Sequence, residues 1–223
     1  MKKTIARAHV ATLLVAAGLG LHANAQAAQG SAEAGAKKAA MCIGCHSIEG
    51  YQASFPEVHK VPMIAGQNAK YLQAALGAYK AGDRKHPTMK AIAVSLTDQD
   101  MADLATYFET LPKDKVTLGA KASREPGPEV AELLKKGNCL SCHGDNFSKP
   151  VDAAFPKLAG QHPDYLFVAL KSYQTLGNPQ IGRANPVMSG MVASFKPAEL
   201  KQLAKYIGSL DGELQTVPQS RFR

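Results

Sequence analysis

Apolar residues recur at helical spacing through most of the chain, and no run alternates as a half-buried strand would. The pattern predicts helices over 33–41, 69–80 and 98–111 in the first half, and over 129–136, 163–176 and 197–210 in the second. Leu72, Ala75, Leu76 and Tyr79 mark one buried helix face, and Met101, Leu104, Ala105 and Phe108 mark another. Thr97 or Asp98 suits an N-cap. Pro163 and Pro197 sit at helix starts, where a missing N–H costs little. Lys113-Asp114-Lys115 and then Arg124-Glu125-Pro126-Gly127-Pro128 interrupt the pattern with charge and helix breakers. The fold class is therefore all-α.

The two helical halves repeat one another. Cys42-Ile43-Gly44-Cys45-His46 returns 97 positions later as Cys139-Leu140-Ser141-Cys142-His143. Pro62-Met63-Ile64-Ala65-Gly66-Gln67 returns as Pro156-Lys157-Leu158-Ala159-Gly160-Gln161 at an offset of 94. Tyr71-Leu72 with Tyr165-Leu166, and Tyr79 with Tyr173, keep that register. Met89 matches Met188 and Tyr107 matches Tyr206 at an offset of 99. The offsets change between motifs, where surface loops take insertions. Two copies, each with its own five-residue motif, predict two similar domains, 26–118 and 129–223, joined by a short linker at 119–128 that holds them close.

Residues 1–25 read as a cleaved export signal: Lys2, Lys3 and Arg7, then an apolar stretch from Val10 to Leu21, then Ala23-Asn24-Ala25 as the cleavage site. That apolar stretch is too short to span a bilayer as a helix. Export places the mature chain in the periplasm. The formal charge of +8 shrinks to +5 once those residues are removed, leaving 23 basic against 18 acidic side chains. No Lys/Arg run accompanies it, which excludes nucleic-acid binding as the reading of the charge. The excess lies more in the second half, 13 basic against 9 acidic after Leu118, which hints at an acidic partner for that half. Trp is absent and aromatic residues make up 6% of the chain, so side chains alone build a modest core.

The repeated motif carries the chemistry. C-x-x-C-H is the attachment signature for a c-type haem. Positions i, i+3 and i+4 share one helix face. Cys42 and Cys45 there, and Cys139 and Cys142 in the second copy, can bond to the two vinyl groups of a porphyrin, with His46 or His143 ligating its iron. The four cysteines of the chain are used up in this way. A four-thiolate zinc site or two short-loop disulfides would also use two C-x-x-C pairs. Neither gives a reason for a histidine after each pair. Two covalently bound haem c groups are the cofactors expected.

A sixth iron ligand from methionine suits electron transfer, whereas an open position suits catalysis. Met89 and Met188 lie 43 and 45 residues beyond their histidines, each after a proline and one further residue, Pro87-Thr88 and Pro186-Val187. The prolines predict an extended strap before each ligand. Met191 competes with Met188, but its counterpart in the first copy is Ile92, which cannot ligate. Met41, Met63 and Met101 have no methionine counterpart and read as core filler. Pro62 and Pro156 are spaced either to offer a carbonyl to the ligating histidine or as ordinary loop residues. Arg84 and Arg183, each five residues before its methionine, suit either a haem propionate or solvent. Tyr79 and Tyr173 pack beside the haem or in plain core. His59, His86 and His162 read as surface or loop residues, with His86 an alternative ligand beside Met89.

These motifs, C-x-x-C-H, P-x-[I/L]-A-G-Q-x-x-x-Y-L, the methionine and a closing amphipathic helix in each half, resemble the dihaem cytochromes c of the c4 type. The resemblance spans nearly the whole mature sequence. It implies two tandem cytochrome c-like domains, each wrapped around one covalently attached haem, with propionates near the interdomain contact. It implies the axial pairs His46 with Met89 and His143 with Met188, and Pro62 and Pro156 as carbonyl partners of the histidines. The implied function is electron transfer between redox protein partners, such as a membrane respiratory complex, an oxidase or a dehydrogenase, with no substrate chemistry of its own. A dihaem enzyme (peroxidase or thiosulfate-oxidising), or the cytochrome subunit of a periplasmic dehydrogenase, is the alternative. Gly50 to Val61 departs from the family pattern, being longer than the loop expected there.

Overall fold

The computed structural model describes residues 29–112, 114 and 116–219; the expected export signal lies outside the described residues. Among the described residues, no helix is long and apolar enough to cross a membrane.

The first half holds α1 (Ala32–Lys38), α2 (Ala40–His46), the two-residue strands β1 (Gln52–Ala53) and β2 (His59–Lys60), then α3 (Ala69–Ala81), β3 (Arg84–Lys85), α4 (Pro87–Val94) and α5 (Asp98–Thr110). The second holds α6 (Pro128–Lys136), α7 (Leu140–His143), α8 (Pro163–Ser172), β4 (Gly182–Arg183), α9 (Pro186–Val192) and α10 (Pro197–Gly208). The all-α expectation stands, with four short strands added. Thr97 starts α5 with a reciprocal capping box to Asp100. Pro128, Pro163 and Pro197 occupy first-turn positions.

In each half the first helix crosses the last. α1 lies against α5 so closely that a Cβ on Gly35 would sit 2.1 Å from the Asp103 carbonyl oxygen, so only glycine permits the crossing. Two separate cores result. Ile43, Leu72, Leu104 and Phe108 fill the first. Leu133, Leu134, Phe147, Leu166, Leu200, Leu203 and Ile207 fill the larger second.

One expectation holds in part and two fail. The strap before each methionine is extended only up to His86 and Asn185, after the strands Arg84–Lys85 and Gly182–Arg183; Pro87 and Pro186 then open the short helices that carry the methionines. Met41 is no core filler: at 57% exposure it stands in solvent, whereas Met101 at 4% is core. His59 is not a surface residue but is buried, because the long loop carrying it folds as a β1–β2 hairpin whose β2 lies against the second half.

The halves meet partly through equivalent segments. β3 and β4 pair antiparallel with Arg84 opposite Arg183. Gln67 and Gln161, both buried, each reach the other half. The C-terminal segment also crosses, with Gln215 bridged to Ala65.

Candidate functional site

Each C-x-x-C-H motif sits on a short helix. Cys42, Cys45 and His46 share the last turns of α2, and Cys139 is the N-cap residue of α7, which ends at His143. A cavity of about 650 Å³ runs between these helices and both halves. All four cysteines, both histidines, Met89 and Met188 line it, among largely apolar neighbours such as Leu72, Phe108, Leu166 and Leu203.

The histidine rings are held. His46 Nδ1 donates to the Pro62 carbonyl at 2.8 Å, and His143 Nδ1 donates to the Pro156 carbonyl at 3.2 Å. A carbonyl only accepts, so the ring proton is on Nδ1 and Nε2 keeps its lone pair. Burial pushes both imidazoles below their ordinary value, and for His46 the Arg84 charge adds to this. Both therefore stay neutral, the form that ligates a metal. Gly66 and Gly160, with φ of 83° and 74°, take the left-handed turn that ends each P-x-[I/L]-A-G segment.

Cys42 and Cys139 lack the lowered pKa of a redox thiol. All four are free, and burial, with Cys45 alongside, pushes the Cys42 thiol up to about 11. Burial likewise raises Cys139. A reactive thiolate needs the opposite shift. Among the described residues no group of three or more His, Cys, Asp or Glu side chains converges as a metal site, so the two pairs do not join into one tetrathiolate.

The methionines differ in setting. Met89 and Met188 sit in the first turns of α4 and α9, where their N–H groups donate to His86 Nδ1 at 3.4 Å and Asn185 Oδ1 at 2.9 Å. His86 thus serves as a helix cap, which occupies the nitrogen nearest Met89. Met188 packs against the second core, whereas Met191 is 42% exposed.

Between the halves lies a cationic cluster. The Tyr165 hydroxyl accepts from Arg84 Nη2 at 2.7 Å and from Arg183 Nη2 at 3.2 Å. Arg84 also reaches the Tyr71 hydroxyl and lies over the Tyr79 ring, while Arg183 lies over Tyr173. Burial alone would raise the Tyr165 phenol, yet the two guanidiniums bring it down to about 8. Neither arginine is a solvated surface residue, and neither has a carboxylate partner among the described residues. Arg84 Nε is buried with no hydrogen-bond partner. Two positive charges held among phenols call for anions. Paired thiols, a locked neutral imidazole, a thioether, an apolar wall and a cation awaiting carboxylates together fit a porphyrin with propionates.

Sequence reasoning brought out most of these residues. It missed Tyr165 and the two glutamines as interdomain groups, although the repeat had marked all three. A conserved register within one chain says that a residue matters, not which half it touches.

The comparisons agree with this geometry. The cytochrome c family model matches residues 32–112 and 129–211. A cytochrome c4 of Azotobacter vinelandii is 32% identical over 86% of this chain and 94% of its own length. A thiosulfate dehydrogenase electron acceptor of Stutzerimonas stutzeri is 30% identical over 90% of this chain and 94% of its own. Among solved structures, reduced recombinant cytochrome c4 from Pseudomonas stutzeri superposes with a TM-score of 0.57 at 30% identity, covering 82% of this chain and all of that one.

Proposed function

We propose the ligand set and working place of this chain from one premise: it belongs to the cytochrome c family, carries two covalently attached haem c groups, and transfers electrons between redox protein partners rather than catalysing a reaction. His46 and Met89 would hold the iron of the first haem, with Cys42 and Cys45 as its attachment points. His143 and Met188 would hold that of the second, with Cys139 and Cys142 as its attachment points. The observation that carries this is the pair of Nδ1–carbonyl bonds to Pro62 and Pro156, which leave Nε2 of each motif histidine with its lone pair, beside its own cysteines, in a cavity that also takes in Met89 and Met188.

When bound, each haem supplies an iron that cycles between ferrous and ferric states. The protein's part is to keep both ligands in place and to exclude water, so that little rearranges on transfer. Arg84 and Arg183 take propionates, and Tyr79 and Tyr173 flank them. The domains are 26–118 and 129–223, with 119–128 as the linker. The chain works in the periplasm after removal of residues 1–25, a reading supported by the N-terminal pattern and by covalent haem attachment.

The ligand set is tested at the second haem. Met188→Ala abolishes that haem's methionine–iron absorption band and produces a high-spin ferric fraction, while Met191→Ala leaves the spectrum unchanged. The reverse pattern assigns the ligand to Met191.

A second reading concerns the partner. The similarity to a dehydrogenase's electron acceptor favours a periplasmic dehydrogenase as donor, with a membrane oxidase or respiratory complex downstream. Reduction of the purified protein by such a dehydrogenase, at a rate that falls with salt, would support it.

A further inference from the structure

The two glutamines of the repeated A-G-Q segment do more than join the halves. Gln161 Oε1 accepts from the Met63 N–H at 3.0 Å, and Gln161 Nε2 donates to the Met63 carbonyl at 2.8 Å. Gln67 Oε1 accepts from the Lys157 N–H at 2.9 Å, and Gln67 Nε2 donates to the Lys157 carbonyl at 3.0 Å. Both side chains are buried, at 3% and 4% exposure, so water does not compete for these bonds.

The N–H groups involved occupy a particular place. Met63 N–H belongs to the same peptide group as the Pro62 carbonyl, which accepts from His46. Lys157 N–H belongs to the same peptide group as the Pro156 carbonyl, which accepts from His143. A peptide is a resonant unit, so a hydrogen bond accepted from its N–H raises the negative charge on its oxygen. Each glutamine therefore extends a chain from its own half to the opposite histidine: imidazole N–H to carbonyl, peptide N–H to amide oxygen.

We propose that Gln161 and Gln67 are crossed positioning residues: each tunes the histidine of the other domain through the proline peptide, so that docking of the two halves sets both haem potentials. A stronger acceptor at Nδ1–H makes the imidazole more basic at Nε2. A more basic ligand favours the ferric state. Removing the glutamine weakens the chain and makes the opposite haem easier to reduce. Each Oε1 also accepts from the next residue of its own half, Asn68 or His162, which fixes the amide orientation.

The inference rests on His46 and His143 being the axial ligands. Its test is a pair of variants, Gln161→Leu and Gln67→Leu, in the full holoprotein. Stepwise reduction is followed by NMR of the haem methyl resonances, which reports each haem separately. At a fixed potential, Gln161→Leu should raise the reduced-to-oxidised ratio of the haem on Cys42 and Cys45 by about three-fold, the scale of one net hydrogen bond. It should leave the other haem nearly unmoved. Gln67→Leu should do the converse.

The two variants control for each other, because both remove two interdomain hydrogen bonds at matched positions. General loosening would move both haems alike in both variants. Equal shifts, a shift in the variant's own domain, or no shift overturns the proposal. Should leucine unfold either domain by circular dichroism, methionine at the same positions carries the test. The oxidised spectrum of the unaltered protein separates the two layers. Two low-spin His/Met irons without a crossed shift defeat this inference alone. High-spin irons in the unaltered protein defeat the ligand assignment and the inference with it.

Discussion

The loops that follow the two attachment motifs start from equivalent positions and end in different places. In the second half, Gly144 to Pro156 folds back into its own core. Phe147, 1% exposed with φ of 56°, occupies that core, and its carbonyl accepts from Leu158 and Ala159. Asn146 closes the turn by accepting from Ser148 and Lys149. In the first half the residue in register with Phe147 is Gly50, and nothing there enters the core. The longer loop becomes the β1–β2 hairpin and turns outward. Lys60 N–H donates to Asp164 at 2.9 Å, Glu57 pairs with Lys171, and the His59 ring meets Tyr165. The second loop fills its own core and reaches across only at exposed positions, where Asp152 pairs with Lys70 at 3.0 Å and the Phe155 carbonyl accepts from Asn68, whereas the first puts partly buried groups into the contact between domains. The first loop is thus the tighter clamp and the second the one that fills a core.

That contrast is most easily broken at Phe147. Phe147→Ala should destabilise the second domain by about 3–5 kcal/mol, the usual cost of emptying a buried aromatic site. Gly50→Ala should cost the first domain only ~1 kcal/mol, since open space surrounds it and only its left-handed φ of 71° resists a side chain. Denaturant unfolding followed at each haem separately checks both. A larger loss at Gly50 would mean that the two loops do the same work.

The clamp itself should respond more gently. Asp164→Ala removes the charged acceptor of the Lys60 N–H and should weaken docking by about 1–2 kcal/mol. Lys171→Met breaks a partly buried ion pair and leaves Glu57, whose Oε2 is already buried without a partner, uncompensated, and should cost about 1 kcal/mol. Both should separate the unfolding transitions of the domains without changing either haem's ligands. The readout is denaturant unfolding scored for the gap between the two midpoints. An unchanged gap in Asp164→Ala would place the docking energy elsewhere, in the glutamines or the β3–β4 pair.

The cores and the histidine supports were legible in the sequence because they are local or periodic. Leu72, Leu104 and Phe108 follow helical spacing, and Pro62 and Pro156 head the repeated P-x-[I/L]-A-G-Q segment, 16 and 13 residues after their histidines, although spacing alone left them open as loop prolines. The hairpin was not legible. Two-residue strands carry no periodicity, and their energy lies in partners more than 100 residues away, as between Glu57 and Lys171. His59 is buried for the same reason: the second domain covers it. Arg84 and Arg183 were ambiguous because arginine alone does not say whether its charge meets water or a buried anion. The helices that begin at Pro87 and Pro186 were misjudged because proline suits an extended segment and a first helical turn alike.

The smallest expected difference between the halves concerns acid. In the first, Lys38 on α1 pairs with Asp100 and Asp103 on α5, at 2.6 and 2.7 Å, and Asp103 also accepts from Ser31 N–H and Gln99. Lys38 holds both carboxyls below the ordinary carboxylate range, with Thr97 assisting at Asp100 and Ser31 at Asp103. In the second, one weaker pair takes the corresponding place, Lys136 with Glu199 at 3.3 Å. Glu199 is lowered mainly by the Lys196 backbone N–H and only then by Lys136. A depressed carboxyl stabilises the fold above its unfolded value, about 4, and that stabilisation is lost as pH falls through the folded value. Two such groups on one lysine should therefore make the first domain the more acid-sensitive. Between pH 7 and pH 3 its melting midpoint should fall further than that of the second domain, by about 5 °C or less because the pairs are partly solvated. Asp103→Asn should remove part of that excess and the double variant with Asp100→Asn most of it, whereas Glu199→Gln should widen it slightly by easing the second domain's own loss. Parallel acid curves for the two domains would show that the α1–α5 crossing is held by its glycine packing, with the charges contributing nothing measurable.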